Sequence, residues 1–343
     1  MKKIIISLSV IAAVAAVAIG ATTAFFSDTE TSTGNMFTAG AIDLKIDSES
    51  HYNGLICRDI GPSAPDYRWR GVIDGSPTTE ELSQEHYNDP CDGTWAETDL
   101  GLTHKFFKLT DVKPGDVGEN TISLHLTNND GWGRFVISAV KDYDNTCTEP
   151  EDEVVTEGCT VATPENQVPG SGELSQNISF FAWLDQGTIP GFQCNNPNNQ
   201  TPPAGARCTA DPHEGDNIQQ CNNPQSIPSD CAEPTVITPG PVDDLNNNDN
   251  STEIDETHNI WEALDPIFNL YCTTEPVNGH NNYDSCHGLA DDGRMVGSVT
   301  YYFGLWWTIP TTVGNEAQTD SLTADLSFQA VQHRNNPRPT PTF

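Results

Sequence analysis

The segment Asp244-Leu245-Asn246-Asn247-Asn248-Asp249-Asn250-Ser251-Thr252-Glu253-Ile254-Asp255 puts oxygen-bearing side chains at positions 1, 3, 5 and 12 of a twelve-residue loop. Asp244, Asn246, Asn248 and Asp255 in that pattern are expected calcium ligands. The loop departs from the usual calcium loop at Asp249, where glycine permits the sharp turn, and at Asp255, where a longer glutamate chelates with both oxygens. A polar linker in which Thr252 or Asp255 caps a following helix is the competing reading. Asp211, Asp216, Asn217 and Glu233 form a second, weaker oxygen-rich set with the same expected ion. Calcium is the one cofactor these residue types suggest.

Other chemistry finds little support. A zinc peptidase helix needs two histidines four residues apart with a glutamate beside the first. His213-Glu214-Gly215-Asp216-Asn217 has no second histidine, and His258 has none four residues later. No nucleophile elbow of the Gly-x-Ser-x-Gly kind occurs. Tyr301-Tyr302-Phe303-Gly304-Leu305-Trp306-Trp307 could stack a sugar on one face of a strand, although aromatic rings equally fill sheet cores.

The ten cysteines (Cys57, Cys91, Cys147, Cys159, Cys194, Cys208, Cys221, Cys231, Cys272 and Cys286) contain no Cys-x-x-Cys pair. In an exported chain an even set of this kind reads as up to five disulfides. Connectivity is not legible in sequence; closeness alone would pair Cys147 with Cys159 and Cys272 with Cys286.

Export is read from the start of the chain. Lys2 and Lys3 precede an apolar run that begins at Ile4 and ends in the small residues Thr22-Thr23-Ala24, the three parts of a secretory signal peptide over residues 1–24. An uncleaved anchor is the alternative, since the run approaches the roughly 20 residues of a spanning helix. Fifteen basic against 49 acidic residues give a net charge of −34. Such a field repels phosphate backbones, so nucleic acid is excluded as a partner. A membrane is met only through the signal segment before cleavage.

The elements that must position these residues are mostly strands. Ile42-Asp43-Leu44-Lys45-Ile46-Asp47 alternates apolar and polar positions, and Leu322, Ala324, Leu326, Phe328 and Ala330 do so near the end. Phe106–Leu109, Ser179–Leu184 and Val296–Trp307 are further strands, and Thr121–Thr127 with Phe135–Val140 are expected to pair as a hairpin. One short helix is expected over Asp255–Leu270, kinked or split at Pro266. Polar stretches rich in Pro, Asn and Gly at about 48–98, 145–175, 191–250 and 272–293 hold all the cysteines, outside the strand candidates. This pattern gives an all-β fold: one β-sandwich domain over 41–334 with long disulfide-stapled loop insertions, an N-terminal arm over 25–40 and a Pro-rich tail over 335–343.

Ala24-Phe25-Phe26-Ser27-Asp28-Thr29-Glu30, followed by Asn35-Met36-Phe37-Thr38-Ala39-Gly40-Ala41-Ile42-Asp43-Leu44, resembles the TasA and camelysin family of exported proteins with SipW-type signal peptides. Val112-Lys113-Pro114-Gly115-Asp116, Asn128-Asn129 and Val313–Ser321 continue the likeness, and Asp216-Asn217 with Gln220 and Glu233-Pro234 resembles a segment of related exported proteins. The resemblance implies a jelly-roll-like sandwich and a secreted subunit of extracellular fibres or biofilm matrix. In such fibres each subunit's N-terminal arm completes the next subunit's sheet by donor-strand exchange. Phe25, Phe26 and Met36 are the expected anchors, and copies of itself, other matrix proteins or polysaccharide the expected partners. The same residues covering their own subunit's edge is the competing reading. A monomeric extracellular binding module is the alternative function, and the camelysin name brings a metal-dependent peptidase as a second.

Overall fold

Antiparallel strands in two packed sheets make up the computed structural model. It describes residues 27–31, 42–71, 84–127, 129–146, 148–152, 172–192, 211–220, 233–242, 256–272, 287–334, 336 and 338. The expected signal peptide over 1–24, Phe25, Phe26, Met36, the Asp244–Asp255 loop and seven of the ten cysteines lie outside those residues.

The strands are β1 (Ser27–Thr31), β2 (Asp43–Tyr52), β3 (Leu55–Asp59), β4 (Tyr67–Gly71), β5 (Trp95–Thr98), β6 (Val117–Thr127), β7 (Gly131–Asp144), β8 (Ser179–Leu184), β9 (Thr235–Pro241), β10 (Glu256–Asn259), β11 (Thr300–Thr308) and β12 (Asp320–Gln332). Three helices are described: α1 (Glu149–Asp152), α2 (Leu174–Asn177) and α3 (Ile260–Tyr271). The smaller sheet runs β1-β12-β7-β10. The larger runs β4-β3-β2-β6-β11-β8-β9, with β5 beside β2. The expected all-β sandwich is borne out.

Alternation along β2, β6 and β11 turns Ile42, Leu44, Ile46, Ile122, Leu124, Leu126, Tyr301, Phe303 and Leu305 into one buried cluster shared with Phe135, Ile137, Leu326 and Phe328 of the smaller sheet. Phe328 sits at its centre, with ring centroids 4.8 Å from Phe135, 5.7 Å from Phe303 and 6.1 Å from Phe106. Burying such a ring is worth about 3 kcal/mol, so this inter-sheet seam contributes strongly to the sandwich's stability.

Several expectations are corrected. The segments 121–127 and 135–140 do not form a hairpin: β6 belongs to the larger sheet and β7 to the smaller. The chain crosses the core at a corner where Asp130 accepts the Gly297 N–H (3.0 Å) and the Arg294 guanidinium (2.8 Å), and Gly131 exchanges backbone hydrogen bonds with Met295. Phe106 is buried as expected but lies in an irregular segment, its carbonyl taken by the Asn120 side chain (3.1 Å) instead of a ladder. The supposed loops hold strands, β3, β4 and β5 in 48–98 and β9 in 191–250, because the edges of the larger sheet offer them partners. Cys57 accordingly lies in strand β3, fully buried, and bonds Cys91. Cys272 is also disulfide-bonded.

The expected helix starts five residues late, since 256–259 pair as β10 with Ile137–Arg134 of β7. That places His258 on a strand against Phe135. Helix α3 then runs as one element through Pro266, burying Ile260, Trp261, Leu264 and Ile267.

Candidate functional site

Strand β8 ends in Leu184, and the next residue, Asp185, continues the ladder by donating its N–H to the Tyr302 carbonyl (2.9 Å). Its fully buried carboxylate accepts the N–H groups of Gly215 (3.0 Å) and Asn217 (2.7 Å). Glu233, just before β9, is equally buried and accepts from Gly187 and Gln220, both at 2.7 Å. Asp211 takes the N–H groups of Ile189 (2.6 Å) and His213 (3.0 Å), and Asp216 those of Ile218 (2.9 Å) and the Gln220 amide (3.1 Å). The structure thus brings together Asp211, Asp216, Asn217 and Glu233, the second set read from sequence. It adds Asp185, whose signal was an acid directly after an apolar strand, and Glu119, which faces the Asn217 amide.

Burial pushes the Asp185 carboxyl up to about 7, with the Asp216 charge adding to it, although backbone donors pull the other way. Glu233, raised by burial and by the Asp185 charge beside it, is the better proton holder of the hydrogen-bonded pair. One shared proton, mostly on Glu233, satisfies both.

Chemically this is a clamp. Four carboxylates collect backbone donors of 187–189 and 213–220 and hold that segment over the outer face of the larger sheet. Gly215, at φ +70°, packs on the Tyr302 ring, where a Cβ would come within 2.8 Å. The aromatic strand is therefore covered on both sides. Tyr301, Phe303, Leu305 and Trp307 are buried, as is Tyr302 on the other face, and Trp306 is the one ring of β11 with partial exposure.

On the smaller sheet, β1 lies antiparallel along the outer edge of β12, from Ser27 opposite Val331 to Thr31 opposite Ser327. Residues 27–31 of the N-terminal arm thus cover the edge of their own subunit, as in the reading that competes with donor-strand exchange.

Residues 1–54 match the family model described as camelysin metallo-endopeptidase. The N-terminal resemblance to the camelysin family holds. No curated protein matches the chain. Among the described residues no helix is long and apolar enough to cross a membrane. The camelysin name raises peptidase chemistry, yet the group of close potential metal ligands found among the described residues, Asp144, Glu151 and Asp320, contains no histidine. His213 pairs with Asp216 (3.0 Å) at the surface, and His125 with Asp47 (2.5 Å) on the larger sheet. No zincin-like arrangement is present among the described residues.

Proposed function

We propose that the chain is a secreted structural subunit of extracellular fibres or biofilm matrix, joined to copies of itself by donor-strand exchange of its N-terminal segment. The observation that carries this reading is the β1–β12 pairing. Five residues at the chain's start fill the outer edge of a thirteen-residue strand whose other edge is already paired to β7. An edge strand left bare is a template for another chain, and exchanging an identical element between copies needs no new contacts. The same register formed in trans, anchored by Phe25, Phe26 and Met36, would propagate a fibre, to which other matrix proteins or polysaccharide could add.

The covered aromatic strand weighs against a polysaccharide-stacking module, and the carboxylate clamp serves architecture better than peptide hydrolysis. The experiment is negative-stain electron microscopy of the mature form starting at Phe25 beside one lacking Phe25–Met36. Fibres from the first alone are expected, with no chelator-sensitive proteolysis. Folded monomers from both at every concentration would overturn the proposal and leave the monomeric binding module as the better account.

A further inference from the structure

The start of β12 and the end of β7 lie side by side, with Asp320 directly opposite Asp144. Helix α1, in the segment that leaves β7, adds Glu151 to the same spot, and one carboxylate oxygen from each of the three lies within 4.8 Å of the other two. Asp144 is 1 % and Glu151 0 % exposed. Glu151 Oε2 accepts the Thr148 N–H (3.1 Å) and lies 3.4 Å from the Thr319 hydroxyl, whereas its Oε1, sealed from solvent, has no hydrogen-bond partner. Asp320 repeats the division: Oδ2 accepts the N–H groups of Glu173 (2.7 Å) and Leu174 (3.0 Å), and the sealed Oδ1 has none. Asp142, whose Oδ2 takes the Ser175 N–H (2.6 Å), adds another buried acid. Burial and the neighbouring Asp142, Glu173 and Asp144 charges drive the Asp320 carboxyl up to about 7.

We infer that Asp144, Glu151 and Asp320 hold a calcium ion that fastens the 145–175 insertion to the end of the smaller sheet. The sealed, donorless oxygens of Glu151 and Asp320 are costly to keep out of water, and their convergence with buried Asp144 adds to that cost; a divalent cation removes it. The donor set is oxygen alone, which selects a hard cation over zinc or copper. Calcium takes six to eight oxygen ligands at about 2.4 Å in flexible geometry, whereas magnesium demands a near-ideal octahedron and several retained waters that a sealed Glu151 cannot admit. The site shares no residue with the Asp244–Asp255 loop or with the clamp around Glu233.

The test uses the full mature chain, stripped with chelator and titrated with calcium chloride by calorimetry, with melting temperature and limited proteolysis as parallel readouts. Calcium is expected to bind, to raise the melting temperature by several degrees and to slow cleavage between 145 and 175. Glu151→Gln and Asp320→Asn should each weaken that binding at least tenfold. Asp320 is half-buried at the rim, so its variant keeps the test decisive if Glu151→Gln fails to fold. A stripped, folded protein that takes up no calcium would overturn the inference. So would binding that persists unchanged in the folded variants, which places the ion elsewhere.

Discussion

Gly304 shows how one residue can fix a sheet's outer surface. It pairs with Trp183 of β8, whose indole lies across it and stacks on Phe181 with ring centroids 4.8 Å apart. A Cβ at Gly304 would sit 2.1 Å from the indole. Overpacking of a buried site costs about 1–3 kcal/mol, and Gly304→Ala is expected at the upper end because Trp183 is 2 % exposed and has no space to retreat. Chemical denaturation of the purified variant checks it; a change below about 0.5 kcal/mol would mean that the indole is not held there. Asn120 plays the matching role inside the sandwich. Its amide donates to Ser48 Oγ and to the carbonyls of Gly93 and Phe106, and its own oxygen accepts from Ser50, so a polar residue sits in the core with its groups met.

At the scale of elements, the β3–β4 hairpin depends on a covalent tie. It forms the far edge of the larger sheet, next to β2 through only two paired residues, His51 and Tyr52. Cys57 in β3 reaches Cys91, 34 residues later, beyond β4. Closing a loop of that length is worth about 3–4 kcal/mol in lost unfolded-chain entropy. The double variant Cys57→Ala/Cys91→Ala should lose about that much in thermal or denaturant unfolding, with early proteolysis in 55–91. Equal stability of the two forms would show that Trp69, buried against Tyr52 at a centroid distance of 5.8 Å, suffices to hold the hairpin. Element boundaries were the least legible part of the sequence. Residues 256–259 carry helix-compatible types, yet β7 had an open edge at Arg134–Ile137 and captured them. The apolar alternation of 121–127 and 135–140 was read correctly as two strands, but two strands that face each other across a core show the same pattern as two that pair.

For the whole molecule, charge sets the response to pH. Asp185 and Glu233 both titrate above their unfolded values of about 4, so the folded state holds a proton that the unfolded chain has released. Their contribution is fully present below about pH 4 and is lost as pH rises through neutrality. The net charge of −34 acts in the same direction through surface repulsion, but about 1 M salt shortens the Debye length to about 3 Å and suppresses it. The melting temperature should therefore fall between pH 5 and pH 8 in low salt, and a residual fall should persist in 1 M sodium chloride. A flat profile at high salt would mean that the buried pair keeps its ordinary titration.

Sequence by itself determined the acidic character and the strands whose alternation is set by one buried face: 42–47, 179–184 and 322–330. Those signals are local, because a period of two residues and a run of apolar side chains are visible in any short window. It also pointed to Asp211, Asp216, Asn217 and Glu233 as a set, since acids and amides cluster there. Tertiary structure alone decided that Asp185 closes that set, that β6 and β7 part at Asp130, that the first strand lies on β12, and that Asp144, Glu151 and Asp320 meet. Each of these joins residues distant along the chain, and what joins them is the two-sheet topology: which edge is open, and which carboxylate the fold drives out of water.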